Sequence, residues 1–212
     1  MKKTVILSVL ILLISTLSFS QDPGQDKKNG EFKTLFGDNR PRGFYGAFSV
    51  GYSEIDQKQA IIFGGRFEWV VSHSIGLGFG GNGFINEYHF DPAINQEVFL
   101  TGGYGGFFFE PIVAPNFPVH LAFPVLLGVG GISFITDDPD YYHNMIEDSE
   151  AFLVAEPAAE LEINLTRNFR LAFGASYRFT TPFDVGTTGT SPVSSESIEG
   201  WTYMVTFKFG RF

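Results

Sequence analysis

The chain of 212 residues has no cysteine. That excludes disulfides, a thiolate metal centre and the acylated cysteine of a lipoprotein. Charge is also scarce: Asp, Glu, Lys and Arg together make up 17%, against roughly a quarter in ordinary globular domains. What charge there is leans acidic, to a net −9, which argues against a nucleic-acid partner. Amphipathic helical periodicity of useful length is missing. The one run long enough to cross a bilayer as a helix, 118–135, is broken by Pro118, Pro124, Gly128, Gly130 and Gly131. Its bulky residues, Val119, Leu121, Phe123, Val125, Leu127 and Val129, fall at every second position, the period of a strand.

In place of these features the chain has aromatics (17%, 25 of them Phe) and 25 glycines. The first twenty residues read as a cleaved secretory signal. Lys2 and Lys3 precede an apolar stretch from Thr4 to Leu17, and Ser18-Phe19-Ser20 supplies small residues before Gln21. Its removal leaves 12 basic and 23 acidic residues, a net charge of −11. Residues 21–41 are polar with Pro and Gly and read as a flexible leader. The remainder, 42–212, is read as one domain.

From Arg42 onward eight period-2 runs follow, at about 42–53, 59–71, 74–86, 97–113, 118–135, 151–165, 168–181 and 200–211. The connections after the second, fourth and sixth are short. Those after the third, fifth and seventh are long, and "SEIDQK" after the first is intermediate. Tight turns at one end and longer loops at the other is the pattern of a transmembrane barrel. Two hairpins echo each other, "EPIVAPNFPVHLAF" (110–123) and "EPAAELEINLTRNFRLAF" (156–173), as a closing meander would.

Four of the 23 acidic residues lie in the leader, thirteen in the connections after odd-numbered strands, one (Glu97) at the start of the fourth run and five in mid-strand. The mid-strand charges are Arg66, Glu68, Glu110, Glu156, Glu160, Glu162, Arg170, Arg178 and Lys208, all at even positions. Odd positions of the second, fifth, sixth, seventh and eighth runs carry Ile61, Phe63, Phe67, Trp69, Trp201, Tyr203 and similar side chains. Period alone does not say which face is outside. The even face is populated by small residues such as Gly64, Gly76, Gly78, Gly80, Gly128 and Gly174, with a few large charged ones. That mixture suits a narrow, side-chain-filled barrel interior. The nine charges are therefore expected to form a lumen network. Glu156, Glu160 and Glu162 would meet Arg170 and Arg178 on the next strand, because a lone buried charge costs several kcal/mol. The odd face would meet lipid.

The last run alternates Trp201, Tyr203, Val205, Phe207 and Phe209, with Phe212 out of phase. It resembles the C-terminal signature by which outer-membrane barrels are recognised by their assembly machinery, with Phe209 or Phe212 as the recognised aromatic. Residues 42–212 as a whole resemble the small eight-stranded outer-membrane barrels of the OmpA/OmpX-like type. "GFYGAFSVGYS" (43–53), "FLVAEPAAELEINLTRNFR" (152–170) and "FKFGRF" (207–212) resemble uncharacterised barrels of the Bacteroidota. The resemblance implies an all-β, eight-stranded, antiparallel up-and-down transmembrane barrel in the outer membrane. Both mature termini would be periplasmic and the long acidic loops extracellular. Partners would be outer-membrane lipid, lipopolysaccharide and the assembly machinery, with the protein a monomer.

The resemblance brings no catalytic residues and no cofactor. His73 between Ser72 and Ser74 lies at a short turn with the wrong spacing for a catalytic triad. His143, Asp148 and Ser149 share one loop, His89 and Asp91 another, and polar loop residues are usually just solvated. Asp137, Asp138 and Asp140 offer oxygens to Ca²⁺ but lack an EF-hand's spaced pattern. The expectation is a non-enzymatic barrel serving membrane integrity or surface interaction. The alternative is a lipid-modifying barrel enzyme or a lateral conduit for small hydrophobic molecules.

Overall fold

A computed structural model describes residues 42–71, 73–87, 89–91, 96–136, 150–182, 184–185 and 193–212. The signal and leader readings, Ser72, Asp137, Asp138, Asp140, His143, Asp148 and Ser149 lie outside the described residues. So do the side chains of His89 and Asp91.

The described strands are β1 (Arg42–Ile55), β2 (Lys58–Val71), β3 (Ile75–Asn86), β4 (His89–Asp91), β5 (Gln96–Val113), β6 (Val119–Ala122), β7 (Val125–Thr136), β8 (Glu150–Thr166), β9 (Phe169–Thr180), β10 (Asp184–Val185), β11 (Val193–Ser194) and β12 (Gly200–Arg211). A single turn of helix, α1 (Ser195–Ile198), precedes β12. β6 and β7 are one stave interrupted at Phe123–Pro124. Both keep the same register against β5, Ala122 facing Ile112 and Val125 facing Phe109, and both pair with β8. Antiparallel pairing then runs β1, β2, β3, β5, β6/β7, β8, β9, β12 and returns to β1. The fold is an eight-stave up-and-down β-barrel. Among the described residues, closure leaves the ring of eight staves itself without an open edge, while β10 and β11 pair in a separate two-stranded sheet. A closed ring is what a sheet requires in a solvent that cannot hydrogen-bond its backbone.

The first connection differs from the sequence reading. β1 and β2 extend to Ile55 and Lys58, and the chain reverses in two residues, Asp56 (φ 54°) and Gln57 (φ 59°). Two consecutive positive φ values match a type I′ turn, whose twist fits the flanking strands. The Lys58 ammonium donates to the Asp56 carboxylate at 3.1 Å and tethers that turn. The tight reversal pairs odd with even positions, so β1 runs in opposite parity to the other staves. Tyr45, Ser49 and Ser53 point inward while Phe44, Phe48 and Tyr52 point outward.

Elsewhere the even positions are inside. Burial alternates strictly along β2, from Ala60 to Val70. Outside lie Phe63, Phe67, Trp69, Phe79, Leu127, Phe173, Trp201, Tyr203 and Phe209, each about half exposed. A belt of this kind far exceeds the apolar patches that water-soluble monomers expose. No described helix is long and apolar enough to cross a membrane.

Glycines on the inner face make room for their charged neighbours. A Cβ added at Gly78 would come within 2.6 Å of Glu68 Cγ, and one at Gly80 within 2.5 Å of Arg66 Cβ. The inner face is not only small and charged, however. Towards the long-loop end Ile55, Ile62, Phe84, Leu100, Leu126, Phe152 and Ile198 form a buried apolar plug. The even-numbered members of this plug follow the same parity as the charges and were open to the same reading.

Candidate functional site: the charged lumen

Arg66 on β2 is the hub. Its Nε lies 2.9 Å from Glu68, Nη2 2.8 Å from Glu110, and the guanidinium fork grips both oxygens of Glu160 at 2.9–3.2 Å. Lys208 on β12 is the second hub. Its ammonium lies 2.8 Å from Glu110 and 2.9 Å from Glu160, and it also contacts Glu162. The oxygens of Glu110, Glu160 and Glu162 are within 4.8 Å of one another, close enough to hold a cation. That cation is the chain's own ammonium.

Glu162 also accepts from Arg170 at 3.2 Å and faces the His120 Nε2 at 2.8 Å. The other ring nitrogen of His120 faces the Phe117 carbonyl at 3.2 Å, which ties the turn between β5 and β6 to the cluster. Tyr45, inward through the reversed parity of β1, donates its hydroxyl to Glu110 at 3.0 Å. Four carboxylates thus face two arginines, a lysine and an imidazole in one buried layer. Burial of this kind is tolerated only where partners and hydrogen bonds offset lost hydration.

Glu156 and Arg178 stand apart from that layer, nearer the apolar plug. Glu156 accepts from Ser176 at 2.5 Å and from Asn82 at 3.3 Å. Arg178 donates to the Ile198 carbonyl at 2.7 Å, to the Tyr104 hydroxyl at 3.1 Å and to Ser53 at 3.4 Å. It therefore fastens α1 to the barrel wall. Between the two levels lies a void with about 20 Å³ of room for water centres, lined by Ser49, Asn82, Pro124, Glu156, Ser176 and Met204 among others. That is space for about one water molecule.

The expected cross-strand pairing holds at one place, Glu162 with Arg170. Glu156 and Glu160 take other partners than Arg170 and Arg178. Glu160 turns across the lumen to Arg66 and Lys208, and Arg178 turns toward the long-loop end and neutral acceptors. The physical reason is diameter. In a narrow closed ring, side chains from opposite walls compete with those of the adjacent strand, and parity says nothing about that choice. Tyr45 is the member missed, while His120 sits with the lumen charges as expected. His120 shares the even parity of the charges, and Tyr45 was hidden by the flip in β1.

At the terminal strand, Trp201, Tyr203 and Phe209 lie on the outer face, with Val205 and Phe207 half-buried between them. Phe209 stacks on Phe169 at 4.7 Å. Phe212 turns inward, 5.3 Å from the Tyr45 ring and beneath the Arg170 guanidinium at 3.8 Å. His73 adopts φ 58° at the turn between β2 and β3.

No protein-family model and no curated protein sequence matches the chain. Solved structures that resemble it include the N-terminal β-barrel domain of Pseudomonas aeruginosa OprF, 13% identical, covering 80% of this chain and 96% of that one with a TM-score of 0.46. Neisserial surface protein A is 9% identical over 79% and 96%, with a TM-score of 0.48. A major outer membrane protein from Thermus thermophilus is 10% identical over 80% and 98%, with a TM-score of 0.47.

Proposed function

We propose that this chain is a non-enzymatic outer-membrane barrel whose lumen is closed by its own side chains, serving envelope integrity or surface interaction. The observation that carries the reading is the Arg66–Glu160–Lys208 cluster, fully internal and mutually paired. Such a layer sets paired side chains across the axis, which supports a closed lumen, and its ionisable groups are engaged with one another rather than offered to a substrate. The apolar outer belt and internal charge suit a lipid solvent, where a mid-bilayer Lys or Arg facing outward costs about 2–4 kcal/mol. The secretory signal and the C-terminal strand support the outer membrane. The termini of the ring share one end with the turns after β2, β5 and β8, which this reading places in the periplasm, with the acidic loops outside. Lipid, lipopolysaccharide and the assembly machinery are the partners it implies, for a monomer akin to the Bacteroidota barrels. Cell fractionation tests location: the mature chain is expected in the outer membrane with heat-modifiable gel mobility, and recovery as a soluble periplasmic protein overturns it.

One observation favours a lateral conduit as the second reading. Pro111, Pro124 and Pro157 sit at nearly one height on three adjacent staves, β5, β6/β7 and β8, and none can donate to the ladder. The small void lies directly behind Pro124. A conduit predicts uptake of small hydrophobic molecules that is abolished by Ala158→Trp; unchanged uptake removes this reading.

A further inference from the structure

The short-turn end of the ring contains a cavity of about 580 Å³, lined by residues of three separate turns and the last strand. The turns join β2 to β3, β5 to β6 and β8 to β9, on different sides of the ring. The cavity is therefore axial, a vestibule at the end of the ring rather than a groove on its outer wall. His73, Arg167, Arg170 and Arg211 contribute to its lining, and among the described residues no Asp or Glu does. In a chain of net charge −9, this is a local reversal of sign.

The arginines divide into two kinds. Arg167 and Arg211 are exposed and, among the described residues, make no ion pair. Arg170 is fixed. Its side chain is only 5% exposed, one arm rests on Glu162, and its Cζ is stacked 3.8 Å over the Phe212 ring. Its Nε has no hydrogen-bond partner. Phe212 is in turn packed on Tyr45, so the floor of the vestibule is built into the wall and the charge layer beneath it.

We propose that this vestibule is an anion-binding site for a phosphate or carboxylate group carried by a water-borne ligand. Arg167 and Arg211 form the accessible cationic rim, and Arg170 forms a preorganised floor. Guanidinium groups suit both anions because their planar forks match two oxygens at once. The volume is in the range of small-molecule sites. The site is separate from the closed-lumen reading, and each can fail without the other.

The test uses the mature full chain in nanodiscs of zwitterionic phosphatidylcholine, with inorganic pyrophosphate and citrate as probes in calorimetric titrations. Saturable binding of one equivalent is expected, weakened at least tenfold in Arg167→Gln/Arg211→Gln. Both positions are exposed, so that variant is expected to keep the heat-modifiable fold, which is checked alongside. Arg170→Lys retains the charge but loses the fork, and is expected to weaken binding while remaining folded. Absence of saturation up to about 10 mM, below any affinity worth roughly 3 kcal/mol, overturns the proposal. Equal affinity in the double variant does the same. Repeating the titration in phosphatidylglycerol nanodiscs separates the sources. Unchanged probe affinity supports a water-borne ligand, whereas loss of probe binding there assigns the site to a lipid headgroup and overturns that assignment.

Discussion

The Lys208 ammonium lies 2.9 Å from the Glu160 carboxylate, with both side chains wholly shielded from solvent. It occupies the space between three carboxylates that would otherwise repel one another at close range. Lys208→Met keeps the volume but leaves Glu110, Glu160 and Glu162 facing each other with Arg66, Arg170 and His120 alone to balance them. Breaking a buried pair from one side costs about 3–5 kcal/mol. Urea unfolding from lipid vesicles is expected to show a loss of that size, partly recovered in Lys208→Met/Glu160→Gln. A loss below about 1 kcal/mol, typical of a solvated pair, would mean that the lumen is wet.

Gly174 and Phe173 are neighbours on opposite faces of β9. A Cβ at Gly174 would approach Glu160 Cγ to 2.8 Å, so Gly174→Trp overpacks the lumen at a cost of about 1–3 kcal/mol or more. Phe173→Leu is expected to be nearly silent, since lipid demands no particular apolar shape, whereas Phe173→Arg costs about 2–4 kcal/mol near mid-bilayer. Unfolding midpoints of the three variants check the order; a silent Phe173→Arg contradicts the lipid-facing assignment.

A filled interior also predicts electrical silence. In planar bilayers the protein is expected to show little or no steady conductance, and a stable large-pore conductance is the contrary result. Ile198→Ala loosens the plug held by α1 without touching the charge layer. It is expected to leave conductance low, because the Arg66–Glu160–Lys208 layer still closes the axis.

The two terminal aromatics part company. Phe209 lies in phase on the outer face, while Phe212 is turned into the vestibule beneath Arg170. Phe209→Ala is expected to slow assembly into vesicles by the purified assembly machinery, and Phe212→Ala to leave its rate nearly unchanged. The opposite ranking would make Phe212 the recognised residue.

Much of this architecture was legible in the residues. Alternation located all eight staves to within a few positions, and the even parity of Arg66, Glu160 and Lys208 put them on one face. Partner choice was not legible. Parity gives the face of a residue but not its height or its bearing around a closed ring, so Glu160 could not be assigned to Arg66 across the lumen. Nor could the flip at Asp56–Gln57 be seen, because neither residue is the glycine that usually marks such a turn. That flip hid Tyr45, the hydroxyl donor to Glu110. The apolar plug was overlooked for a different reason: Ile62, Phe84 and Phe152 carry the right parity, but bulky apolar residues on both faces weaken the contrast on which periodicity depends.

The most direct test uses the absence of native cysteine. Single cysteines at 170, 171, 173 and 174 on β9, each carrying an environment-sensitive fluorophore, are placed in bilayers containing lipid-borne quenchers. Quenching is predicted at 171 and 173 and not at 170 and 174. The reverse pattern would put the charged face outward and the aromatic face inside, contradicting the membrane barrel.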